Sequence, residues 1–297
     1  MALRDFALLV FVCVVWASSN ILSKIVVSDM NVPPLFYAAL RFALVAFLVS
    51  PWLLPMPRPR WRLIAVALFM GAGGFALLFV GLKTSTPSAA AVVSQAGAPC
   101  TTLLSMALLG ERVRWRRGIG VALTLLGVLV VMYDPHGFAV SPGLWFMLAG
   151  AIVNSFGAVL MKQMEGVRPL QFQAWVGLAS FAPLSILSAM LEPGQMRAGL
   201  VAGWPFLAAV VYSALAVSVA AHTLYYGLIQ RYEANLVSAL TLITPLATIG
   251  LGVLITHDRF DARMAIGAAV AIAGVLIIVL RPNQVAALLL GIRTRGP

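Results

Sequence analysis

"VSQAGAPCTT" (Val93–Thr102) and "ALTLITPLAT" (Ala239–Thr248) each set a proline, Pro99 or Pro245, near the middle of a long apolar stretch. A proline inside a helix removes one backbone hydrogen bond and clashes with the preceding turn, at a cost of about 3 kcal/mol. A chain that makes this break twice, in two apolar stretches of similar length, has a use for it.

The stretches around the prolines are typical of the whole chain. Of 297 residues, 62% are hydrophobic and only 10% are charged, against about 25% charged in soluble domains. The apolar residues fall in runs long enough to cross a bilayer. Reading between charges and turn formers gives ten spans: 6–27, 34–53, 62–82, 88–109, 117–133, 143–162, 171–191, 204–229, 235–256 and 263–281. The expectation is an all-α polytopic membrane protein. The net charge of +11 invites a nucleic-acid partner, but the basic residues sit in short loops between apolar runs, so no nucleic acid is expected. Cys13 and Cys100 both lie inside apolar runs, which argues against a disulfide framework or a metal cluster. The first apolar run follows Arg4 and is long for a secretory signal, so it is read as a retained helix.

Ten crossings place both termini on one side. That side would hold Arg4, the Arg58–Arg62 and Arg112–Arg117 clusters, Lys162, Arg168, Arg231 and the basic tail, whereas the other holds Lys24, Lys83, Arg197, Arg259 and Arg263. Because cytoplasmic loops carry the excess of Lys and Arg, both termini are expected in the cytoplasm. Trp52, Trp61, Trp115, Trp145 and Trp204 fall near span ends, where amphipathic rings favour the interface. Trp16 and Trp175 lie deeper.

The chain also matches itself. "WASSNILSK" (16–24) aligns with "NSFGAVLMK" (154–162), and "GLKTSTPSAAAVVSQAGAP" (81–99) with "GLIQRYEANLVSALTLITP" (227–245). Glu111, Gly120 and Gly127 then match Asp258, Gly267 and Gly274. The expectation is two five-helix repeats, 1–134 and 142–282, joined by a loop at 135–141 and followed by a tail at 283–297. Five is odd, so the second repeat enters inverted. The charges agree: "ERVRWRR" after span 4 is strongly basic, whereas its partner "HDRFDAR" balances two Arg with two Asp. Interrupted helices at matching positions of inverted repeats point to a transporter's central site. Pro99 and Pro245 are therefore candidate hinges. They are expected to free the carbonyls of Gln95 and Thr241, whose side chains are polar too. The alternative is a pair of packing kinks.

These features together resemble the EamA family of the drug/metabolite transporter superfamily, over about residues 5–282. The matching residues are Trp16, Asn20 and Lys24 in "WASSN…K", Arg41 in span 2, Pro99, and Glu111 in "LGERV". Within the family the resemblance is to bacterial exporters of aromatic and other amino acids. It implies a multi-pass inner-membrane exporter with a central cavity and alternating access of two halves. Its substrate would be a small molecule, its surroundings the lipid bilayer, and a monomer would suffice. The second half departs from the pattern, with Asn154 where the tryptophan stands and no partner for Arg41.

The candidate substrate-binding residues are Trp16, Asn20, Arg41, Gln95, Asn154, Trp175, His222, Tyr226 and Thr241. Trp16, Asn20 and Lys24 recur every fourth residue and so share a helix face. The first two suit a flat substrate with a polar end, or Asn20 bridges helices. Lys24 reads as an end anchor. Arg41, about two turns into span 2, is a costly intramembrane charge and a functional candidate by default; it binds a carboxylate, or it packs against helix-end carbonyls. Ser218, His222 and Tyr226 form a polar stripe in span 8 whose matched positions in span 3 are apolar. His222 is the one histidine inside a span and the one residue suited to proton coupling; otherwise it is a hydrogen-bonded interhelical histidine. The glycines of "GAGG" and the four matched ones read as close helix contacts. All nine acidic residues fall in loops or at span ends, so no mid-membrane carboxylate relay is expected. No HExxH or GxSxG occurs; neither an enzyme nor a cofactor is expected. The alternatives kept open are export of other amphipathic metabolites or drugs, and a non-transporting membrane scaffold.

Overall fold

The computed structural model describes residues 1–111, 114–133, 141–164, 166–232 and 234–279, and every regular element among them is helical. In chain order the helices are α1 (Leu3–Lys24, prolonged by a π-turn at Ile25–Asp29), α2 (Pro34–Leu48), α3 (Arg60–Leu82) and α4 (Pro87–Leu109). They continue as α5 (Trp115–Met132), α6 (Pro142–Met161), α7 (Pro169–Leu191) and α8 (Gln195–Ile229). Then come α9, in two segments Ala234–Leu240 and Ile243–Ile255, and α10 (Ala262–Val279). Arg112, Asp134, Glu165, Glu233, Arg281, Arg293 and Arg295, with most of the 135–141 loop and the 283–297 tail, lie outside the described residues.

Local sequence explains the ends. α2, α4, α6 and α7 each open on a proline, whose missing N–H is no loss in the first turn. Thr86 caps α4 by accepting the Ala89 N–H at 3.2 Å. Gly110, at φ 66°, ends the same helix in the left-handed conformation that glycine tolerates.

Eight helices are long and apolar enough to cross a membrane; Pro34–Leu48 and Ile243–Ile255 are shorter. Span 2 was expected to run to residue 53, but the helix stops at Leu48 and a single tight turn, Ser50–Trp52, follows around Pro51. Span 9 is divided at Thr241–Leu242. α8 starts earlier than the expected 204, because a segment from Gln195 leads into it; Gly203 (φ 64°, ψ −146°) bends the chain just before Pro205. The five tryptophans expected at the interface are all exposed on the bundle surface.

Packing pairs the halves reciprocally. α5 lies along α10 and α2 along α7; α1 packs on α9, as its counterpart α6 packs on α4. Glycines allow the closest approaches. A Cβ on Gly127 would stand 2.5 Å from the Gly267 carbonyl oxygen, and one on Gly120 would stand 2.7 Å from that of Gly274. The matched glycines are therefore helix contacts. π-helical winding interrupts α3 at Leu68–Gly73 and α8 at Ser213–Ala221. In the register that puts Gly81 on Gly227, the first segment falls inside the second.

Candidate functional site

The two broken helices meet at one cavity. In α4 the break is a tight turn at Ser94–Ala96, just before Pro99; in α9 it is the turn at Thr241–Leu242, just before Pro245. The cavity, about 280 Å³, is lined by Ser94 and Gln95 of α4, Thr241, Thr244, Pro245 and Thr248 of α9, and Trp16 and Asn20 of α1, with Val275 and Val279 of α10 closing it. Its size is near the low end of small-molecule pockets, about 300–1,000 Å³.

The break in α9 works differently from the expectation of a freed carbonyl. The Thr241 carbonyl accepts the Thr244 N–H at 2.9 Å, because the chain tightens to a three-residue turn ahead of Pro245. Polar character comes from side chains instead. Asn20 Nδ2 donates to Thr248 Oγ1 at 3.4 Å, and Thr248 in turn donates to the Thr244 carbonyl at 2.9 Å. Gln95 Nε2 reaches back to the Ala91 carbonyl at 3.4 Å. The Trp16 indole N–H is buried in the wall and has no hydrogen-bond partner among the described residues. Thr244 and Thr248 were not singled out from the sequence; their spacing of three and seven from Thr241 puts all three on one face.

Behind Trp16 stands an aromatic cluster from α8. The Trp16 ring lies 5.2 Å from His222 and 5.0 Å from Tyr225, and Tyr226 lies 6.4 Å from His222. His222 Nδ1 is 2.7 Å from the Val217 carbonyl oxygen. A carbonyl only accepts, so Nδ1 carries the hydrogen. The bond stays within α8, reaching five residues back into its π segment, and is not the interhelical bond that the sequence left open.

Asn154 lines a second cavity of about 140 Å³ with Phe75 of α3, and Ser94 borders both cavities. Phe75 carries the Arg41 guanidinium, whose carbon lies 4.5 Å from the ring centroid. Arg41 is 1% exposed. Its Nε donates to Ser218 Oγ at 3.1 Å, and Ser218 donates to the Ser213 carbonyl at 3.1 Å. Tyr37, one turn before Arg41, shares a hydrogen bond with Ser213 Oγ.

Trp175 is not part of this assembly. Its Nε1 donates to the Leu53 carbonyl at 3.0 Å, beside a bond from Gln171 to the Pro55 carbonyl. The irregular chain after the Ser50–Trp52 turn leaves the Leu53 and Pro55 carbonyls to be satisfied by α7.

Polar latches tie the two halves at both ends of the bundle. Lys162, closing α6, donates to Ser105 Oγ at 2.9 Å and pairs with Glu111 at 3.3 Å. Asp258, after α9, accepts the Ser88 N–H at 2.9 Å and the Ser88 hydroxyl at 2.5 Å, both at the start of α4. Lys24 does not reach outward as an anchor; it caps α3 by donating to the Leu82 carbonyl at 2.9 Å.

The model of the EamA-like transporter family matches residues 5–133 and again 141–280. This chain belongs to the EamA-like transporter family. The duplicated match coincides with the two halves found from the sequence repeat. A probable amino-acid metabolite efflux pump of Escherichia coli (strain K12) is 28% identical to this EamA protein, over 93% of this chain and 95% of the relative. A probable terminal-alkyne amino-acid exporter of Streptantibioticus cattleyicolor is 26% identical over 91% of each. An uncharacterized inner membrane transporter of E. coli K12 is 26% identical over 83% of this chain and 81% of its own. A crystal structure of a protein shares the fold, with a TM-score of 0.64 at 22% identity over 96% of this chain and 99% of that one. The chain is thus a multi-pass membrane transporter of the bacterial inner-membrane kind.

Proposed function

We propose that this EamA protein exports amino acids, aromatic ones among them, by alternating access through a cavity between two inverted five-helix repeats. The repeats are 1–134 and 142–282, together crossing the membrane ten times with both termini in the cytoplasm. α2 and α9 complete the ten as short or broken crossings. Irregular backbone at membrane depth is tolerated where it lines a cavity, and both breaks do so here.

One observation carries the reading: the two proline-interrupted helices, from matched positions of the repeats, wall one cavity with Trp16, Asn20, Gln95 and Thr241. The indole face and its unpartnered N–H suit a flat side chain and a polar group; Asn20 and the threonine stripe suit an ammonium or carboxylate. Pro99 and Pro245 act as the hinge points. His222 and Tyr226 back the Trp16 wall, Asn154 belongs to the adjoining cavity, and no cofactor takes part. The latches Lys162–Glu111 and Asp258–Ser88 join opposite halves, so opening either end breaks one of them.

The test is efflux from cells preloaded with labelled phenylalanine. Cells producing the protein should lose label faster than vector controls, and Asn20→Ala should slow that loss. Equal loss in both strains, with the protein shown to be in the membrane, contradicts the reading.

A further inference from the structure

Arg41 is the largest fully buried side chain of the described residues, and it is charged. A buried cation is expensive unless an anion or a full set of acceptors meets it. Here a hydroxyl takes Nε and the Phe75 ring lies under the guanidinium, while one terminal nitrogen, Nη2, is buried with no partner among the described residues. Among the described residues no carboxylate pairs with it. The group is nonetheless held firmly: Tyr37 and Ser218 fasten this face of α2 to the π-helical part of α8. Phe75 is the contact between this charge and open space, because the same residue lines the smaller cavity, which shares Ser94 with the larger. A rigid cation with an unused donor, one ring away from a cavity, is arranged to receive an anion. The guanidinium fork matches a carboxylate.

We propose that Arg41 is the carboxylate-recognising group of the transport path, with Phe75 as the ring that covers it until a substrate carboxylate displaces it. The transported class is then small carboxylates and amino acids, and the corresponding amines are poor substrates. This deepens the export reading and rests on it.

The experiment is counterflow of labelled phenylalanine in liposomes holding the full-length protein. Three unlabelled competitors are compared: phenylalanine, 3-phenylpropionate, which keeps the carboxylate, and phenethylamine, which lacks it. In the wild type, phenylpropionate should compete within a few-fold of phenylalanine, and phenethylamine at least about ten-fold more weakly. Arg41→Met keeps the bulk and removes the charge; it should raise the apparent KM for phenylalanine about ten-fold or more and erase the preference for the carboxylate. Arg41→Lys should retain part of the preference. Equal competition by the amine in the wild type overturns the proposal without any variant, so a misfolded Arg41→Met does not shield it. An unchanged KM and preference in a folded Arg41→Met overturns it as well. Phenylalanine flux without carboxylate preference sinks this proposal alone. Absence of any phenylalanine counterflow sinks the export reading and the proposal with it.

Discussion

The π-helical segments of α3 and α8 occupy matched positions in the two repeats and serve different ends. In α3 the segment Leu68–Gly73 is apolar throughout and ends in three small residues. Gly71 and Gly73 let α7 and α6 press against it: a Cβ on Gly71 would overlap the Ser180 hydroxyl and stand 2.9 Å from Val176, and one on Gly73 would stand 2.7 Å from Val153. In α8 the segment Ser213–Ala221 is lined with hydroxyls that hold Tyr37 and Arg41, and its end positions His222 behind Trp16. The two repeats share the backbone device; in one it serves packing, and in the other its hydroxyls hold Tyr37 and Arg41. Such interruptions often mark functional positions, but only the side chains around them tell which copy does which.

The comparison can be broken most severely at a matched glycine pair. A Cβ on Gly81 would come 2.6 Å from the Gly143 carbonyl oxygen and 2.7 Å from Met147, whereas Gly227 has nothing within 4 Å. Gly81→Val should therefore lose most of the folded protein, since overpacking costs about 1–3 kcal/mol or more. Gly227→Ala should leave the melting temperature in detergent unchanged or higher. Equal losses at both positions would mean that the halves pack alike.

Next in size is the contrast between the latches. Asp258→Ala removes two charge-assisted bonds to the start of α4, each worth about 1.5–3 kcal/mol. Glu111→Gln removes an ion pair whose side chains are 45% and 44% exposed, and such pairs contribute about 0–1 kcal/mol. The first variant should melt clearly lower and the second almost at the wild-type temperature, with both read by thermal unfolding in detergent. A similar shift for each would show that Glu111 bears more than the exposed pair.

A finer test sets two tryptophans against each other. Trp16→Phe removes the cavity's unpartnered N–H and should weaken apparent affinity for an aromatic amino acid several-fold with little change in stability. Trp175→Phe removes the bond to the Leu53 carbonyl, about 1 kcal/mol, and should leave apparent affinity as it was. A transport defect in Trp175→Phe matching that of Trp16→Phe would place Trp175 on the path after all.

Much of the fold was legible because its causes are local or periodic. Apolar run length gave the helices, matched spacings gave the repeat, and two prolines gave the broken pair that walls the cavity. Trp16, Asn20, Gln95 and Thr241 were legible as a group because matched breaks bring their helices to one place. Trp175 stands apart from that group, bonded to the Leu53 carbonyl, and depth in an apolar run does not reveal a carbonyl left open by the chain after α2. The Thr241 carbonyl is not free as expected, because a proline-broken turn can tighten and rebond. The π segments were illegible: no local pattern marks them, and their neighbours, Arg41 and Tyr37 at one and two packed helices at the other, come from distant parts of the chain.

The most direct measurement of the central claim is counterflow of labelled phenylalanine or tryptophan into liposomes containing only this protein, with no imposed gradient. Transient accumulation of label, blocked by unlabelled amino acids and lost in Trp16→Ala, is the result expected of an alternating carrier using this cavity. Folded protein that gives no accumulation, or accumulation that Trp16→Ala leaves intact, would contradict the account.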